Sequence, residues 1–304
     1  MEYILTTDGL SKDYGHFKAL NNLSMQIPKG SIYGLVGRNG AGKTTLIRMI
    51  CGLQQPTSGN FKLYGVDSKS KEIIKARRRM GAVVESPAIY LDITAEENLK
   101  QQFLVLGLPS YDKIPELLKL VGLENTGKKK AKNFSLGMRQ RLGIAMALAG
   151  DPDFLILDEP VNGLDPQGII EMRELILKLN REYQITVLIS SHMLDELSRL
   201  ATHYGFVDRG CVVKQISAHD LEATCRQSIN IEVSDIKALT SVLDDMKVEY
   251  EIVSEHEAKF FEKVSITTLV LALAKLNCEV TKINEQEESL ESYFMNLVGG
   301  AKYE

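Results

Sequence analysis

The stretch Gly37-Arg38-Asn39-Gly40-Ala41-Gly42-Lys43-Thr44-Thr45 decides the fold of the chain around it. Residues 31–36 (SIYGLV) precede it as a buried strand, and residues 45–50 (TLIRMI) open an apolar helix behind it. The stretch fits the pattern G-x-x-x-x-G-K-[ST], whose glycines let consecutive backbone N–H groups surround a phosphate at a helix N-terminus. Lys43 is predicted to reach the β- and γ-phosphates and the Thr44 hydroxyl to ligate Mg²⁺. A glycine-rich turn with a chance lysine is the alternative, and the flanking strand and helix favour a nucleoside triphosphate site.

Composition places the chain among ordinary soluble proteins. Its 304 residues are 44% hydrophobic and 25% charged, with a formal net charge of −4, which leaves room for one large domain and a small one. This charge gives no indication of nucleic-acid binding. The basic runs 77–79 and 128–130 are more typical of solvated faces. We therefore expect no nucleic-acid partner.

The cysteines and the apolar runs indicate a reducing compartment and no membrane span. Cysteines 51, 211, 225 and 278 have neither metal-ligand nor C-x-x-C spacing, so we expect reduced thiols. The N-terminus lacks the features of a signal peptide, and the run at 267–274 is too short to cross a bilayer. We expect a soluble protein whose membrane role, if it has one, comes through a partner.

Strands and helices alternate along most of the chain, and this favours an α/β fold with a parallel core sheet. Residues 1–36 read as an antiparallel strand region, and a charged segment leads to the strand 80–85. Residues 94–150 are helical, beginning with a capping box at Thr94-Ala95-Glu96-Glu97, and a second helix runs from Pro115 to Val121. Buried strands follow at 154–159 and 185–192, with a helix from about 168 to 179 between them.

Polar residues end three of these strands, where ligands of parallel sheets bind. They are Glu85, Asp158, Glu159 and His192. Unpaired carboxylates are rarely buried, so the two adjacent acids need a role. Helix capping or salt bridging would provide one for the acids, and His192 could be a satisfied core histidine. Beside Lys43 and Thr44, a role around the phosphates is the better interpretation. Upstream, Tyr14 could stack on a nucleotide base or be a partly buried turn residue.

The motifs and their order along residues 1 to about 216 resemble those of the nucleotide-binding subunit of an ABC transporter. Gly37 to Thr44 corresponds to the Walker A loop and Tyr14 to the adenine-stacking aromatic. Asp158 and Glu159 correspond to the Walker B aspartate and the catalytic glutamate. The remaining motifs are the signature at 134–141 (FSLGMRQR), the D-loop at 163–166 (GLDP) and the switch histidine, His192.

Two positions depart from the usual family pattern. The signature reads F-S-L-G-M instead of L-S-G-G-Q, so that Ser135 and Gly137 are retained and Leu136 replaces a glycine. Glu85 stands where the family usually has the Q-loop glutamine. Both departures, and the C-terminal stretch 290–300, resemble the bacitracin and lantibiotic resistance or immunity branch.

The resemblance implies a set of residue roles. Asp158 would hold Mg²⁺ through water or through Thr44, with Glu85 as a further metal ligand. Glu159 would be the general base for the attacking water, and His192 would contact the γ-phosphate. The implied ATP-binding residues are Tyr14, Gly37, Arg38, Asn39, Gly40, Ala41, Gly42, Lys43, Thr44, Thr45, Ser135, Gly137 and Asp165.

The resemblance also implies partners. Two copies would form a head-to-tail dimer with ATP between Lys43 of one chain and Ser135 of the other. Integral membrane permease subunits would hold the dimer on the inner face of the bacterial membrane, and the cargo would be a bacitracin- or lantibiotic-type peptide. The alternatives are an ABC-2-type exporter of another substrate, a non-transport ABC ATPase acting on the ribosome or DNA, and a P-loop regulatory switch.

Residues 1–218 are expected to form the nucleotide-binding domain, with a helical subdomain at about 86–150. Residues 219–304 are expected to form a small accessory domain. The strands 229–233, 248–253, 258–262 and 279–283 and the helices 236–246 and 266–277 give the order βαββαβ, as in the ferredoxin-like plan, before a terminal helix from about Ser289. We predict a dimer-supporting or partner-contacting role for this domain. Tyr293, Phe294 and Met295 are either a docking stripe or core.

Overall fold

The computed structural model describes residues 2–224, 227–260, 264–287 and 290–299. The chain divides into two compact units, Met1–Ala218 and His219–Glu304. The strands of the first unit are β1 (Tyr3–Tyr14), β2 (Phe17–Pro28), β3 (Ile32–Val36), β4 (Ser58–Leu63), β5 (Val66–Asp67), β6 (Met80–Val83), β7 (Phe154–Asp158), β8 (Thr186–Ser191), β9 (His203–Asp208) and β10 (Cys211–Ser217). Its helices are α1 (Lys43–Ile50), α2 (Ile73–Arg77), α3 (Ala95–Leu106), α4 (Ile114–Leu120), α5 (Leu136–Leu148), α6 (Pro166–Arg181) and α7 (Leu194–Ser198).

A six-stranded sheet in the order β10-β9-β3-β8-β7-β6 forms the centre of this unit. The neighbours from β9 to β6 are parallel, and β10 is antiparallel to β9. Every residue of β3, β7 and β8 is buried, because strands in the middle of a parallel sheet are covered on both faces. The predicted α/β core is confirmed. It brings the carboxyl ends of β3, β7 and β8 to one edge.

A second sheet is antiparallel, in the order β2-β1-β4-β5, as residues 1–36 predict. One hydrophobic core joins the two sheets and α1, with Leu20 and Met25 of β2 packed in the same cluster as Leu46 and Phe154. This packing fixes the helix that follows the glycine-rich loop against the central sheet.

The helical segment contains α3, α4 and α5. The predicted capping box is present at the start of α3, where the Glu97 N–H donates to Thr94 Oγ1 (3.2 Å) and the Thr94 N–H donates to Glu97 Oε2 (2.7 Å). The structure also forms elements that the sequence pattern does not predict: β5 and α2 in the charged segment before Met80, and β9 and β10 after residue 202. These elements gain their stability from tertiary pairing, which periodicity does not reveal.

The second unit contains β11 (Gln227–Val233), α9 (Ile236–Asp245), β12 (Tyr250–Ile252), β13 (Glu257–Phe260), α10 (Ile266–Lys275), β14 (Val280–Glu287) and α11 (Leu290–Gly299), with α8 (Ala218–Thr224) at its start. The element order βαββαβ is the predicted one. The strands form an antiparallel sheet in the order β12-β13-β11-β14, and the ferredoxin-like class stays a prediction. The predicted strand end at Glu262 and helix start at Ser289 lie outside the described residues.

The residues of α11 for which the sequence allows either a docking stripe or core differ in exposure. Phe294 is buried and Met295 is half exposed, since consecutive residues of a helix point in different directions. In the part of the chain that the structure describes, no helix is long and apolar enough to cross a membrane.

Candidate active site

The glycine-rich loop joins the end of β3 to the start of α1. Gly42 has φ +108° immediately before the helix, and a Cβ there would lie 2.6 Å from the Ala19 carbonyl oxygen. A Cβ on Gly37 would lie 2.5 Å from the Val207 carbonyl oxygen. Gly42 is therefore required both for its backbone conformation and for the lack of space, and Gly37 is required for the lack of space. Arg38, Asn39 and Gly40 are exposed at the tip of the loop, whereas Ala41 is buried and Thr44 and Thr45 are half-buried.

Lys43 is the first residue of α1, and only 5% of it is exposed. Its Nζ donates to the Gly37 carbonyl oxygen (2.6 Å) and the Arg38 carbonyl oxygen (3.4 Å), so the ammonium lies under the loop. It also lies 3.3 Å from Glu159 Oε1. A buried ammonium requires such partners, and they hold the positive charge where the loop would receive a phosphate.

Glu159 joins Lys43 to His192. Its Oε1 faces Lys43 Nζ, and its Oε2 lies 2.7 Å from His192 Nδ1. Glu159 follows β7 directly with φ +52°, an uncommon left-handed conformation for a residue other than glycine. Strained backbone of this kind persists where the surroundings over-determine it, often at functional sites. The structure therefore brings three predicted site residues into direct contact.

Asp158 ends β7 and is 1% exposed. Ser190, paired with it on β8, donates its hydroxyl to Asp158 Oδ1 (2.5 Å), while the Glu159 N–H donates to Ser190 Oγ (3.0 Å). Asp158 Oδ2 is buried and has no hydrogen-bond partner among the described residues. A buried carboxylate oxygen without a donor is costly, and it is a suitable ligand for a hard cation such as Mg²⁺. Sequence reasoning missed Ser190, whose hydroxyl in a strand buried along its whole length was the available signal.

The charge of Asp158 acts on the nearby thiol of Cys51. Burial raises the pKa of the Cys51 thiol to about 12; Arg77 lowers it in part, and the Asp158 charge raises it further. The thiol is therefore protonated at neutral pH, and Cys51 is not a nucleophile. Cys51, Cys211 and Cys278 are free thiols, as predicted; Cys225 lies outside the described residues.

The sequence predicts that Glu85 ends the strand 80–85, but in the structure it lies in the loop after that strand. The strand β6 ends at Val83, and Glu85 follows in a loop with φ +60°. Its Oε1 pairs with Arg48 Nη2 of α1 at 2.7 Å, and both side chains are well exposed. Arg48 is, after Ser190, the second residue near the site that the sequence did not reveal. Its position in a helix gives no sign of a partner 37 residues away.

The other predicted ATP-binding residues are held by their own elements. Tyr14 is 44% exposed; its hydroxyl donates to Gln54 Oε1, and Lys12 Nζ lies 5.3 Å from the ring centroid. Ser135 caps α5 by accepting from the Met138 N–H (3.2 Å), and Gly137 lies in the first turn of α5.

Asp165 likewise caps α6 by accepting from the Gly168 N–H (3.1 Å). Within the described residues, neither cap shares a hydrogen bond with the cluster of Lys43, Glu159 and His192.

Comparison with known proteins identifies the chain. Residues 20–162 match the family model described as ABC transporter. The bacitracin transport ATP-binding protein BcrA of Bacillus licheniformis is 41% identical over 99% of both chains. The lantibiotic transport ATP-binding protein SrtF of Streptococcus pyogenes is 43% identical over 69% of this chain and 89% of its own.

Solved structures give the same result. An ATP-binding cassette solved as a dimer with ADP and Pi superimposes with a TM-score of 0.63 at 25% identity, over 70% of this chain and 98% of its own. The cbiO1 protein of Clostridium perfringens, described as part of an ABC transporter complex, gives a TM-score of 0.65 at 26% identity, over 81% and 97% of the two chains. Since relatives align with nearly the whole chain, it belongs to the ABC transporter family, as an ATP-binding subunit with ATPase activity.

Proposed function

We propose that this chain is the ATPase of an exporter that protects a bacterium from bacitracin- or lantibiotic-type peptides. The observation that supports this assignment of the cargo is the 41% identity with a bacitracin transport ATP-binding protein over 99% of both chains. The alignment extends over the second unit as well, so the likeness is not confined to the nucleotide-binding fold.

Hydrolysis is assigned to the cluster at the ends of β3, β7 and β8. Lys43 Nζ lies 3.3 Å from Glu159 Oε1 and forms an ion pair with it. ATP would replace that carboxylate with its own phosphates, which frees Glu159 to accept a proton from the attacking water. His192, 2.7 Å from Glu159 Oε2, would orient this carboxylate or donate to the γ-phosphate. The contact between Lys43 and Glu159 therefore makes proton acceptance dependent on substrate.

Mg²⁺ fits the oxygen ligands at the end of β7. The unpartnered Oδ2 of Asp158 and the hydroxyl of Thr44 would hold it. When bound, it would neutralise charge that develops on the phosphates. Ser190 keeps the other oxygen of Asp158 occupied, which leaves Oδ2 for the metal. Glu85, the remaining predicted ligand, would have to leave Arg48 first.

The active form is proposed to be a head-to-tail dimer of two copies. Ser135 lies at the exposed N-terminus of α5, where its hydroxyl and the N–H groups of the first turn suit a phosphate of the partner. Gly137 and Asp165 would complete that contact, and the exposed Tyr14 would stack on the adenine. Support comes from the hydrogen bonds of the described residues, among which none joins the Ser135 cap to the Lys43 cluster of the same chain.

Permease subunits are the second proposed partner. A cavity of about 420 Å³ lies beside the predicted helical subdomain. It is lined by residues of β6, α3 and α5, and Leu53 and Leu106 are among the lining residues. Leu53, Leu104 and Val105 expose most of their side chains. Exposed apolar side chains of this kind mark protein interfaces, so we assign this surface to a cytoplasmic segment of the permease. The chain would then lie on the inner face of the bacterial membrane.

We propose that residues 1–218 are the catalytic domain, with the helical subdomain at about 86–150. We propose that residues 219–304 are an accessory domain that contacts a partner. No nucleic acid is assigned a role.

A survival assay tests the cargo. A sensitive bacterium would express the chain with its neighbouring membrane-protein genes and face bacitracin and a lantibiotic, with Glu159→Gln as the inactive control. Protection by wild type that is lost in Glu159→Gln is the expected result. If both proteins are expressed, ATPase is active and neither peptide is resisted, the cargo assignment is wrong and an exporter of another substrate is favoured. Recovery of ribosomes or DNA instead of a permease from membranes would favour the non-transport alternative.

A further inference from the structure

Two contacts fix the orientation of the Tyr14 ring. Tyr14 ends β1 at the tip of the hairpin with β2, and 44% of it is exposed. Its hydroxyl donates to Gln54 Oε1, in the turn that follows α1. Lys12 Nζ lies over the ring, 5.3 Å from the centroid, within the range of a cation–π contact. One face of the ring therefore meets an ammonium, and the hydroxyl is anchored on another part of the chain.

The tip of the hairpin is fastened to the same turn at two further points. Lys12 Nζ donates to the Gln55 carbonyl oxygen (2.8 Å), and the Asp13 N–H donates to Thr57 Oγ1 (3.0 Å). Residues 12–14 thus each contact the turn that follows α1. The backbone that carries the aromatic ring is therefore itself held in place.

The turn is fixed by α1. The N–H groups of Leu53 and Gln54 both donate to the Arg48 carbonyl oxygen, at 2.8 and 3.3 Å. Because α1 begins at Lys43, one helix follows the phosphate loop at its N-terminus and holds Gln54 just beyond its C-terminus. Gln54 therefore connects the aromatic residue proposed for the base to the helix proposed for the phosphates.

A hydrogen bond of this kind has a cost and a benefit for ligand binding. An exposed aromatic side chain without such a contact samples several rotamers, and a base that stacks on it must first immobilise the ring. Because immobilising a side chain on binding lowers the affinity, a ring that is already fixed binds more tightly. The hydroxyl of Tyr14 adds nothing to the stacking surface, so its hydrogen bond matters through the orientation of the ring.

We propose that Gln54 is a positioning residue that orients Tyr14 for the adenine base before ATP binds. The inference rests on the proposed function, in which Tyr14 stacks on the adenine. Gln54 acts through the Tyr14 hydroxyl, and it raises the affinity for the base without contacting the nucleotide. It takes no part in the chemistry at the γ-phosphate.

A simpler role for the same hydrogen bond is to fasten the hairpin of β1 and β2 to α1. The two roles differ in what they change. Loss of a fold contact lowers the Tm and affects every ligand of the phosphate loop alike. Loss of the orienting contact weakens only those ligands that carry a base.

The test uses the purified full-length chain and the variants Tyr14→Ala, Tyr14→Phe, Gln54→Met, Gln55→Met and the double variant of Tyr14→Phe with Gln54→Met. Gln54→Met keeps the length of the side chain and removes the acceptor. Gln55→Met makes the same change one position along and leaves in place the backbone carbonyl that accepts from Lys12, so it is the matched control.

Three measurements are compared for each variant. Calorimetric titration in EDTA, which prevents turnover, gives the affinity for ATP and for tripolyphosphate, a ligand without a base. Phosphate release over a series of ATP concentrations with Mg²⁺ gives kcat and KM. Thermal melts check folding.

For Gln54→Met we expect an ATP dissociation constant about three- to tenfold higher, the effect of immobilising one side chain on binding, with kcat within about twofold of wild type. Tyr14→Phe should lose as much affinity for ATP, and the double variant no more than either single change, because both remove the same hydrogen bond. The affinity of Gln54→Met for tripolyphosphate should equal that of wild type. Tyr14→Ala should lose about 5- to 100-fold in ATP affinity, because base stacking itself is lost. Gln55→Met should match wild type.

Results of three kinds would overturn the inference alone. Wild-type ATP affinity in Gln54→Met, with Tyr14→Ala weakened, would show that the hydrogen bond does not prepare the ring. Losses that add up in the double variant would show two independent effects. An equal loss for tripolyphosphate, or an equal loss in Gln55→Met, would assign Gln54 to the conformation of the turn. If Tyr14→Ala binds ATP like wild type, the proposed stacking on Tyr14 is wrong and the inference falls with it.

Discussion

An aspartate lies at each end of β7, and the two carboxylates have opposite surroundings. Asp153 comes just before the strand; its oxygens accept from the Tyr64 hydroxyl and pair with Arg79, whose guanidinium lies 3.9 Å from the Tyr64 ring centroid. Asp158 ends the strand; one of its oxygens accepts from Ser190, and the other has no partner among the described residues. Two acids only five positions apart therefore differ in whether both of their oxygens have partners.

The difference separates stability from function. A carboxylate that accepts on both oxygens at a partly exposed site stabilises the fold modestly. A buried carboxylate with one oxygen that accepts no hydrogen bond destabilises the folded chain. Such a group is typical of a functional site, where a ligand supplies the missing partner. The amino-terminal end of the strand thus holds the residues that follow β4 and precede β6, and the carboxyl-terminal end is the proposed site for nucleotide and metal.

Replacing the two aspartates should have the largest effect. In Asp158→Asn, loss of the metal ligand should lower kcat about 10³-fold, because a metal supplies several kcal/mol to the transition state. The nucleotide-free Tm should not fall, since the orphaned charge is removed. Asp153→Asn is the control and should lose thermal stability while keeping kcat. Phosphate release over a MgCl₂ titration and thermal melts measure both, and equal turnover in the two variants would contradict the contrast.

Replacing the two cations sharpens the same contrast. Lys43→Ala should weaken ATP binding by about 10- to 100-fold, the value of one or two hydrogen bonds to a charged group. Arg79→Ala removes a cation of the opposite end and should leave ATP affinity unchanged. Calorimetric titration with ATP compares them. An unchanged affinity in Lys43→Ala would take this lysine out of the phosphate site.

Replacing Ser190 and Thr186, two of the three hydroxyl residues of β8, should have a smaller effect. Ser190→Ala should lower kcat about tenfold, because it frees Asp158 Oδ1 to turn away from the metal position, as with other groups that orient a ligand. Thr186 lies at the other end of the strand, where its Oγ1 accepts from the Gly30 N–H (2.9 Å). Thr186→Val should lower the Tm without changing kcat. A tenfold loss of turnover in both variants would show that the strand as a whole was disturbed.

Tyr64→Phe should have the smallest effect, about 1 kcal/mol of unfolding free energy with kcat unchanged. Burial raises the pKa of Tyr64, and its hydrogen bond to Asp153 adds to the rise. A raised folded-state pKa means that the stabilisation is present below the unfolded value of about 10 and is lost as pH rises above it. Thermal melts between pH 7 and 11 should show the difference between wild type and Tyr64→Phe shrinking above pH 10.

Sequence reasoning found the residues whose chemistry depends on local order. The loop at 37–45, the acids at the end of β7 and the capping box of α3 each depend on neighbours within a few positions, where glycine conformation and helix capping act. The assigned element order of the second unit came from periodicity, which is also local. The tertiary structure was needed for contacts made across the chain, such as Ser190 with Asp158, Arg48 with Glu85 and β9 with β3.

The sequence by itself determined that the chain holds a glycine-rich loop before a helix and acids at the end of a buried strand, because these depend on backbone conformation and burial over short spans. Only the tertiary structure decided which oxygen of Asp158 lacks a hydrogen-bond partner among the described residues, and that Glu85 pairs with Arg48. The reason is geometric. Parallel strands and their loops bring together residues that are tens of positions apart, and the pairing of each polar group depends on distances that exist only in the folded chain.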